Sequence, residues 1–177
     1  MSGGVRIALT VLFAAVIGAG GGILAVLWLQ DSSSAETLRP DFTLETLTDG
    51  PRSIGEWDGQ VVVLNFWATW CAPCRREIPL FSRLQSDYRD NGVRFLGVAI
   101  DDPGAIRDFL DTVDMNYPSF YGMEGAIDVA ADYGNPRGTL PYTVVIDRDG
   151  VIVERFSGEI HEPDLRPLLS KLVNRQG

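Results

Sequence analysis

The sequence predicts an α/β sandwich, a mixed sheet with helices on both faces, and three observations carry that prediction. Val61 to Trp67 is an apolar run of strand length followed by helical sequence, and Val93 to Ile100 repeats the arrangement. Further on, Arg148-Asp149-Gly150 separates two strand-like runs, Thr143 to Asp147 and Val151 to Phe156, as a hairpin turn does. Leu165, Leu168, Leu169 and Leu172 then recur at helical spacing.

In chain order, the first feature is Ile7 to Leu29, 23 residues without a charge. That length spans a bilayer as a helix. Arg6 precedes it and Asp31 and Glu36 follow it, so the positive-inside bias places the N-terminus in the cytoplasm and the rest of the chain outside. We expect a membrane anchor over residues 1–30, a short Ser-rich linker over 31–37 and one domain over 38–177. A cleaved signal peptide ending at Ser33-Ser34-Ala35 is the alternative, although the run exceeds the usual h-region. Either reading exports the domain. Residues 31–177 hold all 24 acidic and 14 of the 15 basic residues, a net charge of −10, which argues against nucleic acid as a partner.

Within the domain, Asp41 to Leu47 alternates apolar and polar residues as a half-buried strand does, with Asp49-Gly50 as the turn behind it. A helix is expected from Pro73 to Asp90, interrupted by Pro79, which removes a hydrogen bond to the Arg75 carbonyl. Asp102-Pro103 opens the next helix, with Asp as N-cap and an apolar face of Ile106, Phe109, Leu110 and Val113. Residues 115–135 suggest a short strand near 118–121 and a short helix near 127–133. In the last helix Pro163 and Pro167 cannot both sit comfortably inside, which leaves its start open.

The chemistry lies in Cys71-Ala72-Pro73-Cys74, which holds both cysteines of the chain. The thiolate is the form that attacks a disulfide, and a helix N-terminus favours that anion, with Arg75 adding to it. At 100° per residue, with Cys71 at the origin, Cys74 falls at about 300° and Glu77 at about 240°, inside the arc of Ile78, Phe81, Leu84 and Tyr88. Cys71 is therefore expected to be exposed and nucleophilic, Cys74 buried and resolving. Glu77 is a carboxylate on a core-facing surface, with a raised pKa and a proton to exchange with Cys74. Pairing of Glu77 with a rim arginine is the alternative.

A purely structural disulfide across so short a loop removes little unfolded-state entropy. Zinc needs about four ligands, and the chain offers two cysteines and one histidine, His161. No histidine follows Cys74, so there is no haem attachment motif. Redox catalysis is the reading that remains.

The segment Asn65-Phe-Trp-Ala-Thr-Trp-Cys-Ala-Pro-Cys-Arg-Arg-Glu-Ile-Pro resembles the active site of bacterial membrane-anchored thioredoxin-like proteins of the TlpA/ResA type. Gly138-Thr-Leu-Pro-Tyr-Thr-Val-Val-Ile-Asp147 is similar to that family's cis-proline loop and following strand. The resemblance covers about residues 38–175. It implies a thioredoxin fold with an N-terminal β-hairpin extension and a central insertion, preceded by a single N-terminal transmembrane helix. It makes Pro141 the cis-proline, with Leu140 offering backbone groups to substrate and Trp70 and Pro73 shaping the docking surface. It also matches Glu77 to the family's glutamate, while Asn65 stands where thioredoxins carry a buried aspartate. The branch that acts in cytochrome c maturation often has an acidic residue after the cis-proline, and here that residue is Tyr142.

The resemblance implies a thiol–disulfide oxidoreductase on the outer side of a bacterial cytoplasmic membrane, acting as a reductant of protein disulfides. Its partners would be a protein disulfide substrate and a membrane dithiol that resupplies electrons. We expect a monomer with no cofactor and no metal. Candidate substrates are cysteines of apocytochrome c or of copper-delivery proteins. The alternative is a copper-binding assembly factor using the two thiolates as Cu(I) ligands. Copper-insertion relatives of this fold space their cysteines one residue wider and add a histidine, which His161 is poorly placed to supply.

Overall fold

The computed structural model describes residues 37–174. The anchor expected over 1–30 and the linker up to residue 36 lie outside them. No helix among the described residues is long and apolar enough to cross a membrane. Thr37, the end of the expected linker, is already tied to the domain, because its carbonyl accepts the Ile152 N–H at 2.9 Å.

Seven strands form one sheet in the order β2-β1-β5-β4-β3-β6-β7. They are β1 (Thr43–Thr46), β2 (Gly50–Ser53), β3 (Val61–Trp67), β4 (Val93–Ile100), β5 (Ser119–Gly122), β6 (Tyr142–Ile146) and β7 (Ile152–Ser157). β3 pairs with β4, and β4 with β5, in parallel, while all other pairs are antiparallel. Every residue of β3 is buried, as expected of a central strand covered on both faces. Among the described residues four α-helices complete the fold: α1 (Ala72–Tyr88), α2 (Pro103–Leu110), α3 (Glu124–Asp132) and α4 (Glu162–Asn174).

The period of two in β3 sorts its side chains between two cores. Val62, Leu64 and Phe66 pack with Phe120 and with Ala126, Val129 and Ala130 of α3. Val61 and Val63 face the other way, onto Leu80, Phe81 and Leu84 of α1 and Leu165, Leu169 and Leu172 of α4. Trp67 continues that second face and packs with Cys71, Cys74, Ile78 and Ile106 of α2. The dithiol thus sits on an extension of the core.

Three local expectations change. The first hairpin turns through three residues, because Gly50 (φ 71°) already pairs with Thr46 as the first residue of β2. The Thr46 hydroxyl closes that loop, donating to the Gly50 carbonyl at 2.9 Å and accepting the Asp49 N–H at 3.1 Å. α3 starts at Glu124, ahead of the expected 127. α4 accommodates both prolines: Pro163 lies in its first turn, where no N–H is needed, and Pro167 is exposed inside it.

Gly97 on β4 marks the closest approach in the sheet. A Cβ there would lie 2.6 Å from Ser119 Oγ and 2.8 Å from Trp67 Nε1, the two atoms joined by a 3.0 Å hydrogen bond. Gly97→Ala should therefore break that bond and displace the indole that leads into the Cys-x-x-Cys segment. We expect a loss of about 1–3 kcal/mol in urea unfolding. Unchanged stability would show that Trp67 moves without cost.

Candidate active site

β3 delivers the chain to the surface, and four residues turn it into α1. The Cys71 N–H bonds the Ala68 carbonyl at 3.2 Å, and Cys71 is the N-cap of α1, its sulfur accepting the Cys74 N–H at 3.3 Å. Pro73 stands in the first turn, where its missing N–H is not needed. Cys71 and Cys74 are joined as a disulfide, with their Cα atoms 5.3 Å apart.

The expected exposure of Cys71 is corrected. It is only 5% exposed, against 1% for Cys74, because both sulfurs pack into the Trp67–Ile78–Ile106 cluster. The residue that does project is Trp70, at 68%. Arg75 is exposed, and its side chain makes no hydrogen bond or ion pair among the described residues.

Glu77 lies one turn beyond Cys74 and is 1% exposed, on the core side where the helical spacing puts it. Its Oε1 accepts the Ile160 N–H at 2.5 Å, while its Oε2 is buried without a partner. It does not pair with a rim arginine, since Arg76 instead grips Glu159 through Nε and Nη2. Burial pushes the Glu77 carboxyl up to about 7, and the nearby Glu159 charge adds to this. The Ile160 N–H, the Asn65 amide and Arg76 pull the other way. Asn65, on β3, is itself buried and donates to Thr143 Oγ1 at 2.9 Å.

The Leu140–Pro141 peptide bond is cis. Leu140 is half-buried and packs against the cysteine cluster. The Pro141 carbonyl accepts the Gly158 N–H at 2.9 Å. Tyr142 turns inward and donates to the Tyr133 carbonyl at 3.1 Å, so it presents no polar group beside the proline loop. His161 is exposed at the start of α4. Among the described residues, no three His, Cys, Asp or Glu side chains gather into a metal-binding group.

Two positioning residues escaped the sequence reading. Asp101, at the end of β4, accepts the Thr69 N–H at 2.9 Å and the Thr69 hydroxyl at 2.6 Å through Oδ2, and the Asp102 N–H at 2.9 Å through Oδ1. It therefore ties the loop before Cys71 to the neighbouring strand. Asn135 does the same for the proline loop, donating to the Thr139 carbonyl at 2.8 Å and accepting its N–H at 3.0 Å. The only local signal for Asp101 was an acidic residue doubled at a strand end, and one of the pair was already explained as an N-cap.

Two outcomes follow from this geometry. Asp101→Ala orphans three donors and should cost about 2–3 kcal/mol, with Asp101→Asn losing less; increased mobility of Trp70, read by fluorescence anisotropy, would accompany it, and unchanged anisotropy would count against the tether. For Glu77, the folded protein holds a proton that the unfolded chain releases between about 4.5 and about 7, so stability falls as pH rises through that window. Allowing for partial solvent screening, the loss is about 2 kcal/mol. Urea titrations at about pH 5 and pH 8 should show that loss in the native protein and not in Glu77→Gln, whereas equal losses would deny the cost of burying this carboxylate.

Residues 36–155 match the AhpC/TSA family. The chain is 35% identical over 136 residues to the thioredoxin-like protein YneN of Bacillus subtilis, covering 73% of this chain and 75% of that one. It is 30% identical over 135 residues to the thiol-disulfide oxidoreductase ResA of Bacillus cereus, covering 76% of each. A solved thiol:disulfide interchange protein of the thioredoxin family from Chlorobium tepidum superposes with a TM-score of 0.71 at 26% identity, over 80% of this chain and 99% of that one. The chain belongs to the AhpC/TSA family and, within it, is a thioredoxin-like thiol–disulfide oxidoreductase of the ResA type.

Proposed function

We propose that the protein is an exported, membrane-tethered enzyme that reduces disulfides in other exported proteins. The Cys71 thiolate attacks one sulfur of the substrate disulfide, forms a mixed disulfide and expels the other substrate sulfur as a thiolate. Cys74 gives its proton to the Glu77 carboxylate and attacks Cys71 Sγ. The second substrate sulfur leaves as a thiolate, which takes up a proton, and the enzyme is left as the Cys71–Cys74 disulfide. Two electrons pass to the substrate, and a membrane dithiol donor returns them. Trp70, Pro73 and the Leu140–Pro141 loop form the docking surface.

The observation that carries this reading is Glu77: a buried carboxyl with one unpartnered oxygen, one turn from the inner cysteine, titrating at about 7. Such a group accepts and returns a proton near neutral pH, which resolution of a mixed disulfide requires. The uncharged run from Ile7 to Leu29 supports export and tethering. Exported proteins live in an oxidising milieu, so a reductant there needs the separate electron supply named above. Substrates of this class are cysteine pairs such as those of apocytochrome c or of copper-site assembly proteins.

Cys74→Ala should accumulate a mixed disulfide through Cys71 that dithiothreitol releases, and mass analysis of the adduct identifies the substrate. Glu77→Gln should slow turnover at neutral pH by about 100-fold while leaving the fold intact. A reduction potential near −120 mV, the range of a strong oxidant, would overturn the reductant assignment.

A further inference from the structure

β3, β4 and β5 run parallel, so the segments that precede β4 and β5 gather at the end of the sheet away from Cys71. There a cleft of about 260 Å³ has walls that include Arg52, Arg89, Arg94, Gln85, Trp57 and Asn116, and no carboxylate lines it. Three guanidinium groups around one cavity concentrate positive charge there, in a chain whose net charge is −9.

Two of the walls are buried polar side chains with unused donors. Gln85 and Trp57 are each 7% exposed. The Gln85 Oε1 accepts the Phe95 N–H at 2.7 Å, which fixes the amide plane and leaves Nε2 as its free branch. Neither that Nε2 nor Trp57 Nε1 has an acceptor among the described residues, and neither is sealed from solvent. Each therefore reaches solvent from a residue that lines the cleft.

The arginines are only partly engaged. Arg94 donates through Nη1 to the carbonyls of Arg89 and Val93, at 2.6 and 2.9 Å, and meets no carboxylate among the described residues. Among the described residues Arg89 has only Asp90 at 4.0 Å, a pair so exposed that solvent screens it. Arg52 stands 4.5 Å over the Trp57 ring and is the best paired of the three, with Glu56 at 2.6 Å and Asp49 at 3.8 Å.

We propose that this cleft is a binding site for a phosphate-class oxyanion, free in solution or carried on a phospholipid headgroup. A planar carboxylate is satisfied by one forked arginine. Lining residues with N–H donors come here from β2, the end of α1, β4 and the turn at Trp57, a set that suits a tetrahedral group with three or four acceptor oxygens. Binding relieves the guanidinium repulsion and replaces solvent as the acceptor for the Gln85 and Trp57 N–H groups. The site is independent of the dithiol chemistry.

The test uses the full-length ¹⁵N-labelled protein in an uncharged detergent, titrated with inorganic phosphate against chloride at constant ionic strength. In parallel, the protein is placed in nanodiscs with and without phosphatidylglycerol. The Gln85 side-chain amide and the Trp57 indole N–H should shift saturably, and Arg94→Gln should weaken the midpoint by about 10-fold or more. Saturation by inorganic phosphate assigns a soluble ligand, and a response confined to phosphatidylglycerol assigns a headgroup. No saturable response in either arm, or the same midpoint in Arg94→Gln, overturns the proposal. Disulfide reductase activity of Arg94→Gln should equal that of the native protein, which separates this site from the catalytic one.

Discussion

A carboxyl group held inside an apolar interior is the constraint around which this site is organised. Glu77 is 1% exposed, and an ionised carboxylate so placed is expensive. The fold limits that cost from three elements without removing it. The loop after β7 offers one N–H from Ile160, β3 brings the Asn65 amide close, and α1 places the Arg76 charge next door. Arg76 is nevertheless committed to Glu159, and one carboxyl oxygen stays unpartnered. The result is a group balanced between its two protonation states near neutrality. A fully compensated carboxylate would remain ionised and could not take up and release a proton there.

The dithiol depends on the same interior. Its sulfurs lie among Trp67, Ile78 and Ile106, so the reactive bond is carried on an apolar floor continuous with the core. Two polar tethers hold the segments on either side. Asp101 fastens the turn before Cys71 to β4, and Asn135 fastens the loop that leads to the cis-proline. With both segments fixed, the exposed Trp70 indole is presented from a defined base.

The two ends of the parallel strands carry different chemistry. The dithiol end joins a helix N-terminus to a buried acid. The far end gathers arginines and N–H donors without a protein acceptor around a cleft. Parallel strands make this separation possible, because they collect all preceding loops at one end and all following loops at the other.

Much of this was legible from residue order. The apolar runs marked β3 and β4, Asp102-Pro103 marked the start of α2, and helical spacing put Glu77 on the buried side, because each of these signals lies within one element. Resemblance, and not periodicity, pointed to the cis bond before Pro141. What residue order could not supply depends on contacts between elements. Cys71 was expected outside and is nearly covered, since its environment includes Ile106 from α2, far along the chain. Asp101 and Asn135 gain their roles only when β4 and the proline loop are brought beside the active-site turn. The arginine-lined cleft draws on β2, α1, β4 and the segment before β5. By itself, then, the sequence determined the elements, the redox pair and the acid beneath it, through spacing and local propensity. Tertiary structure alone decided which groups are covered, which are tethered and which donors remain unused, because burial and hydrogen-bond partnership are properties of segments distant in the chain.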